Sequence, residues 1–290
     1  MAGVIDFVGN TPMVELQRLN PNPNVKIFAK LEGNNPGGSV KDRPALNMIQ
    51  SALKRGDIKA GTKLVEATSG NTGIALAMIA RLFDLEIELV MPSSSTRERT
   101  LTMEAFGAKV TLLDSIENCR DYAEEKGKSG DYFLLNQFSN PDNYLAHYKT
   151  TGPEIWKDTN GAITHFVSAM GTTGTIMGTS MFFKEQNPGI QIVGCQPTEE
   201  SSIPGIRRWP EEYLPKIFDP KRVDRVIDVS QANATEMTRK LANAEAIFAG
   251  MSSGGAAFAA IELAKELRHG VIVFIACDRG DRYLSSDLFA

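Results

Sequence analysis

The strongest constraint on the fold is a regular alternation of short β-branched runs with longer stretches of helical spacing. The runs are almost continuously apolar, which is typical of strands in parallel sheets whose two faces are both covered by helices. Strands that alternate with helices favour βαβ units. We therefore predict an α/β fold of two domains, each a twisted, mostly parallel sheet flanked by helices.

The predicted strands fall into two groups along the chain. We expect a boundary between them, with an N-terminal domain at 1–142 and a C-terminal domain at 143–290, and with 12–33 crossing to the second domain. Strands are predicted at 27–31, 64–67, 87–91, 109–113 and 132–135, and then at 163–168, 191–195, 225–229 and 271–276. Helices are predicted at 41–55, 71–83, 96–106, 116–128, 143–159, 175–185, 232–245 and 255–267.

Composition narrows the functional classes. The 290 residues carry 31 Lys and Arg against 35 Asp and Glu, so the net charge of −4 argues against a nucleic-acid or membrane partner. No signal peptide or apolar run long enough to span a membrane is visible, and three widely spaced cysteines fit a reducing compartment. The histidines lack metal-ligand spacing. We expect a cytoplasmic protein without a metal site.

The first of three glycine-rich turns follows the strand at 27–31 and ends on Lys41, at the start of a predicted helix. Ligands of open α/β sheets bind at such turns, beyond the carboxyl ends of the strands. The glycines permit close approach of a ligand, and a helix N-terminus lowers the pKa of an amine, as a Schiff-base lysine requires. The ordinary alternative is a solvated lysine whose charge Asp42 offsets.

Two further turns gather hydroxyl groups at a helix start. Thr68-Ser69-Gly70-Asn71-Thr72-Gly73 predicts a pocket for a carboxylate, although Ser69 or Asn71 could simply cap the helix. Gly171-Thr172-Thr173-Gly174-Thr175 predicts a phosphate site without the lysine of a P-loop. A plain glycine turn is the alternative there.

One motif points to different chemistry. Residues 250–254 fit G-x-S-x-G, the nucleophile elbow of many hydrolases. The order of residues opposes that interpretation, because no aspartate lies between Ser252 and His269. A second unusual segment, 199–220, contains four prolines and a Trp209 that we expect to be exposed. Irregular connections of this length are usually functional.

Taken together and in this order, the three turns resemble those of the cysteine synthase family of fold-type II pyridoxal-phosphate enzymes. The resemblance begins at Gly9-Asn10-Thr11-Pro12 and covers essentially the whole chain. It implies pyridoxal 5′-phosphate as the cofactor, bound to Lys41, which also removes the Cα proton of the substrate. It implies that O-acetyl-L-serine loses acetate to give an α-aminoacrylate, which sulfide or thiosulfate then attacks, in a homodimeric enzyme.

The same resemblance implies roles for individual residues. Asn71 bonds the 3′-oxygen of the cofactor, and Ser252 faces its pyridine nitrogen. A serine there makes the ring a weak electron sink, which suits β-elimination better than transamination. The cofactor phosphate is held by Gly171, Thr172, Thr173, Gly174 and Thr175, and the substrate carboxylate by Thr68, Ser69, Thr72 and Gln137.

Two segments, 204–209 and 277–284, resemble the B-type isozyme of the family. They imply a cationic pocket wall formed by Arg207, Arg208 and Cys277, which admits thiosulfate and gives S-sulfocysteine. The alternative places both arginines on a solvated loop and buries Cys277 at a strand end.

Three other functions remain open on this fold. Cystathionine β-synthase-like or serine/threonine dehydratase activity would use the same lysine, although dehydratases usually have Ser-Phe-Lys where this chain has Ser39-Val40-Lys41. An inactive binding homologue is the third, and the intact lysine and 171–175 turn argue against it.

Overall fold

The structure is a computed structural model that describes residues 2–68 and 70–290. Its strands are β1 (Met13–Glu15), β2 (Val25–Leu31), β3 (Lys63–Ala67), β4 (Glu86–Pro92), β5 (Lys109–Leu113), β6 (Phe133–Leu134), β7 (His165–Ala169), β8 (Gln191–Pro197), β9 (Arg225–Val229) and β10 (Gly270–Ala276). They form a six-stranded sheet of order β1-β2-β10-β7-β8-β9 and a four-stranded sheet of order β5-β4-β3-β6. Every neighbouring pair is parallel except β1 with β2.

Helices cover both faces of each sheet. They are α1 (Asp42–Arg55), α2 (Asn71–Leu82), α3 (Arg97–Ala105), α4 (Ile116–Lys128), α5 (Pro141–Lys149), α6 (Thr151–Asp158), α7 (Gly174–Gln186), α8 (Gln231–Glu245) and α9 (Met251–Glu266). On β10, Ile272 and Phe274 pack against α8 and α9, whereas Val273 and Ile275 pack on the opposite face with α6 and α7. The four-stranded sheet packs on α1 and α2 on one face and on α4 on the other.

The predicted α/β fold with mostly parallel sheets is confirmed. The strands β1 and β2 precede the four-stranded sheet in the chain but belong to the six-stranded one. The division of the chain into domains at 142 and 143 stays a prediction.

The structure differs from the predicted elements in three places. The helix expected at 143–159 is two helices, because Thr150 is non-helical and Pro153 has no N–H for an uninterrupted helix. The strand β1 was missed because it has only three residues. Helix α9 begins at Met251 rather than at residue 255, and Gly254 within it lets α8 approach, because a Cβ there would overlap Thr238.

Two features that the described residues lack bear on function. No helix among them is long and apolar enough to cross a membrane. No group of three or more His, Cys, Asp and Glu side chains in the same part of the chain could hold a metal ion.

Candidate active site

The parallel register explains why distant turns meet. Strands β2, β7 and β10 run in the same direction, so the segments that follow Leu31, Ala169 and Ala276 emerge at one edge of the six-stranded sheet. In the four-stranded sheet, β3 and β6 are likewise parallel, so the 68–73 turn and Gln137 also share an edge. The two edges together line one pocket.

Lys41 lies in this pocket, at the N-cap of α1. Its side chain is partly buried, and burial lowers the pKa of the ammonium group, while the nearby Cys277 and Asp278 act in the opposite direction. A lowered pKa increases the fraction of neutral amine, which is the form that can act as a nucleophile or take a proton.

The start of the 171–175 turn forms another part of the pocket wall. Thr173 has the left-handed φ of +68° at the N-cap of α7, and its hydroxyl oxygen is buried without a hydrogen-bond partner in the structure. Gly171 and Thr172 line the pocket together with Lys41. Backbone N–H groups and hydroxyls at the start of a 13-residue helix, one of them unsatisfied, fit a phosphate group.

Neighbouring side chains fix the shape of this turn. Trp209 Nε1 donates to Gly171 O over 2.7 Å. Asn143 Nδ2 donates to Gln137 O over 2.7 Å and approaches Thr172 Oγ1 at 3.4 Å, so it connects the 171–175 turn with Gln137.

A buried histidine, His147, contacts the hydroxyl group of Thr175. His147 Nε2 lies 3.4 Å from Thr175 Oγ1, and His147 Nδ1 lies 2.8 Å from Thr151 Oγ1. Burial lowers the pKa of His147 well below its usual value, with further lowering from the charges of Arg43 and Lys41. The ring is therefore neutral and acts through hydrogen bonds.

The predicted carboxylate turn is built around Gln137. Thr72 Oγ1 donates to Gln137 Oε1 over 2.8 Å, and Gln137 Nε2 donates to Ala67 O over 2.6 Å. Thr68 Oγ1 accepts the N–H groups of Gly70 and Gly73 and so shapes the turn itself. Thr72 and Gln137 both line the pocket; Ser69 lies outside the described residues.

Asn71 lines the same pocket, and both ends of its amide are held by the segment that follows β10. Its Nδ2 donates to Asp278 Oδ2 over 2.7 Å, and its Oδ1 accepts from Arg282 over 2.6 Å.

Ser252 and Cys277 lie behind the pocket wall. Ser252 is 3 % exposed, and a Cβ on Gly205, which lines the pocket, would lie 3.3 Å from its hydroxyl oxygen. Burial raises the pKa of the Cys277 thiol to about 12, and Asp278 raises it further, against the opposing charge of Lys41 and a hydrogen bond with Ser252. The structure therefore brings Ser252, Cys277 and Lys41 together.

The two adjacent arginines, Arg207 and Arg208, lie in different surroundings. Arg207 lines the pocket and is half-buried; burial lowers its pKa, Glu117 raises it and Arg99 lowers it. Arg208 is exposed, donates to Pro197 O and pairs with Asp228 over 2.8 Å. The structure thus brings Arg207 to the pocket but not Arg208, because the Arg208 guanidinium is held by Pro197 O and Asp228 instead.

The sequence did not single out every residue of the site. Trp209, expected to be exposed, is half-buried, lines the pocket and packs edge-on against Phe138 at 5.5 Å. Asn143 carries no motif that could have marked it. Asp278 and Trp209 were marked only as members of the segments 277–284 and 204–209, and Trp209 also by its place in the long proline-rich segment.

Comparison with known proteins places this geometry in a family. The model of the pyridoxal-phosphate dependent enzyme family matches residues 4–278. Cysteine synthase B of Pseudomonas aeruginosa is 57 % identical over 289 residues, covering 99 % of this chain and 97 % of that protein. Cysteine synthase B of Escherichia coli is 56 % identical over 292 residues, covering 100 % and 96 %.

The fold agrees with that assignment. The crystal structure of cysteine synthase from Entamoeba histolytica superposes with a TM-score of 0.93 at 35 % identity, covering 100 % of this chain and 90 % of that one. A partly buried lysine in the same pocket as a helix start with an unsatisfied hydroxyl also fits an aldehyde cofactor that carries a phosphate. This chain belongs to the family of pyridoxal-phosphate dependent enzymes, and within it to the group of B-type cysteine synthases.

Proposed function

We propose that this protein replaces the acetoxy group of O-acetyl-L-serine by sulfide and so makes cysteine. The observation that carries the proposal is one pocket lined by Lys41, by the start of the 171–175 turn and by the hydrogen-bonded Thr72–Gln137 pair. These features match an amine that binds the cofactor, a site for its phosphate and a site for an amino-acid carboxylate.

In this proposal, each group of residues in the pocket has a separate role. The cofactor, when bound, supplies the electron withdrawal that acidifies the substrate Cα. Lys41 takes the Cα proton, since its lowered pKa makes neutral amine available. Thr72 and Gln137 orient the substrate carboxylate, and the N–H groups and hydroxyls of the 171–175 turn hold the cofactor phosphate. Ser252 is proposed to face the ring nitrogen.

The test is cysteine formation by the cofactor-loaded protein from O-acetyl-L-serine and sulfide. Lys41→Ala is expected to abolish it, because no other described lysine lines the pocket. Lys59→Ala is the matched control, because Lys59 is exposed and outside the site. Undiminished turnover in Lys41→Ala, or loss in Lys59→Ala alone, contradicts the proposal.

Serine in place of O-acetyl-L-serine separates the competing activities. A dehydratase would consume serine at least as fast, and a cystathionine β-synthase-like enzyme would accept homocysteine in place of sulfide. We expect O-acetyl-L-serine to be strongly preferred, and pyruvate release from serine as the main reaction would instead indicate a dehydratase.

We also propose that thiosulfate serves as a second sulfur donor through Arg207. A half-buried guanidinium beside the pocket can pair with an oxyanion that sulfide does not carry. Arg207→Met is expected to lower kcat/KM with thiosulfate by roughly tenfold more than kcat/KM with sulfide. Arg208→Met is the control that leaves the ratio unchanged, since Arg208 pairs with Asp228; equal effects of the two variants would refute the role of Arg207.

The resemblance further leads us to propose a cytoplasmic homodimer. Free thiols at Cys119, Cys195 and Cys277 support a reducing compartment. Light scattering after size exclusion should give twice the chain mass of 31.6 kDa. A mass of one chain at micromolar concentration would contradict the dimer.

A further inference from the structure

The segment that follows β10 contains a buried carboxylate to which the proposed reaction assigns no role. Asp278 is 2 % exposed, and its Oδ2 accepts from both Asn71 Nδ2 and Tyr283 OH at 2.7 Å. Its Oδ1 is buried without a hydrogen-bond partner in the structure. Burying a carboxylate oxygen in this way is costly, so its place beside the pocket calls for a reason.

The backbone around Asp278 is braced by two other parts of the site. Ser39, two residues before Lys41, forms a β-bridge with Asp278, and Val40 N donates to Cys277 O over 2.8 Å. Gly250, the N-cap of α9, has no side chain where a Cβ would overlap Asp278 Oδ1. The carboxylate is therefore held in a fixed place relative to Lys41.

Asp278 and Arg282 together determine how the amide of Asn71 is oriented. Asp278 takes one of the two N–H groups of Nδ2, and Arg282 donates to Oδ1, so a flipped amide would set donor against donor and acceptor against acceptor. The second N–H of Nδ2 is the group left for a ligand of the pocket that Asn71 lines.

We propose that Asp278 is a positioning residue which, with Arg282, makes Asn71 present only an N–H donor to the cofactor. Such a donor selects an oxygen anion of the ligand over a hydroxyl that must itself donate. The inference rests on the proposed cofactor site, which it deepens: the specificity of Asn71 comes from a residue that does not touch the ligand.

Tyr283 supplies the matched control. Tyr283→Phe removes one hydrogen bond to the same Asp278 oxygen and one from Arg99, but it leaves the Asp278–Asn71 bond intact. If Asp278 served only to anchor Tyr283, the variants Asp278→Ala and Tyr283→Phe would behave alike.

The experiment is a titration of apoenzyme with pyridoxal 5′-phosphate, followed by tryptophan fluorescence and by the visible absorption spectrum of the bound cofactor. Trp209, which contacts the 171–175 turn, is suitably placed as a reporter. Asp278→Ala is expected to weaken cofactor binding by roughly tenfold and to change the spectrum as Asn71→Ala does. Tyr283→Phe is expected to keep the wild-type spectrum.

A double variant gives the decisive comparison. Because Asp278 acts through Asn71, Asn71→Ala/Asp278→Ala should bind the cofactor no more weakly than Asn71→Ala alone. Additive losses, or equal spectra for Tyr283→Phe and Asp278→Ala, would overturn the inference. If Asp278→Ala does not fold, Asp278→Asn is used in the same cycle, and additivity there overturns the inference as well.

Different results would contradict the proposed function and the proposed role of Asp278. Wild-type protein that does not bind pyridoxal 5′-phosphate would remove the proposed function itself. Wild-type protein that binds it, with Asp278→Ala indistinguishable in affinity and spectrum, would remove only the role of Asp278.

Discussion

The carboxamide oxygen of Asn143 occupies the space that a β-carbon on Gly174 would require. Asn143 also contacts Thr172 and the backbone of Gln137, so it fixes the 171–175 turn relative to the proposed carboxylate site. The absence of a side chain at residue 174 is therefore a condition for bringing the two sites together.

We expect Gly174→Ala to displace Asn143 and distort the turn. Overpacking of this kind should weaken binding of pyridoxal 5′-phosphate by roughly tenfold or more, measured by titration of the apoenzyme. Gly3→Ala is the control, because a Cβ there meets nothing closer than 3.9 Å. Wild-type affinity in Gly174→Ala would show that Asn143 moves away freely.

The Cys277 thiol should be unreactive at ordinary pH. Burial raises its pKa to about 12, and the thiolate is the form that alkylates, so the rate of modification should stay low from pH 7 to pH 9. Peptide mass spectrometry after iodoacetamide treatment, with denatured protein as the reference, measures this for apoenzyme and loaded enzyme. Alkylation of native Cys277 at pH 8 as fast as in denatured protein would contradict the prediction.

We expect Glu66 to make the free energy of unfolding depend on pH. This buried β3 carboxyl accepts the N–H of Gln137 at 3.3 Å, and burial raises its pKa from 4.5 to about 8, against backbone hydrogen bonds that lower it. The folded state thus binds a proton that the unfolded state has lost, so the contribution of Glu66 to stability decreases as pH rises from about 4.5 to about 8.

The measurement is the free energy of unfolding of wild type and Glu66→Gln across this pH range. Glutamine keeps an acceptor oxygen for Gln137 but cannot ionise, so the variant should gain stability relative to wild type as pH rises. A difference between the two proteins that is constant from pH 5 to pH 8 would show that Glu66 does not titrate in this range.

Local sequence patterns were sufficient to predict the strands of each sheet but not the packing of one sheet against the other. The apolar runs predicted every strand except the three-residue β1, and the turns after β2 and β7 could be expected to share an edge because both strands are parallel. How the 68–73 turn of the other sheet approaches that edge depends on packing between the sheets, which short-range spacing does not encode.

The sequence also did not predict the direction in which individual side chains point. Arg207 and Arg208 are the same residue type in neighbouring positions, yet only Arg207 lines the pocket. Asp278 lies in the 277–284 segment, but that segment indicated no role for it, because its role depends on contact with Asn71, more than 200 residues earlier in the chain. Trp209 was expected to be exposed within the proline-rich segment, but its indole N–H donates to Gly171 O.

The most direct test of the account is to find where the cofactor is attached. Borohydride reduction of the loaded protein, followed by digestion and mass spectrometry, should place a phosphopyridoxyl group on the peptide that contains Lys41, and Lys41→Ala should carry none there. A protein that takes up no such group, or that carries it on another lysine while Lys41 stays unmodified, would contradict the central claim.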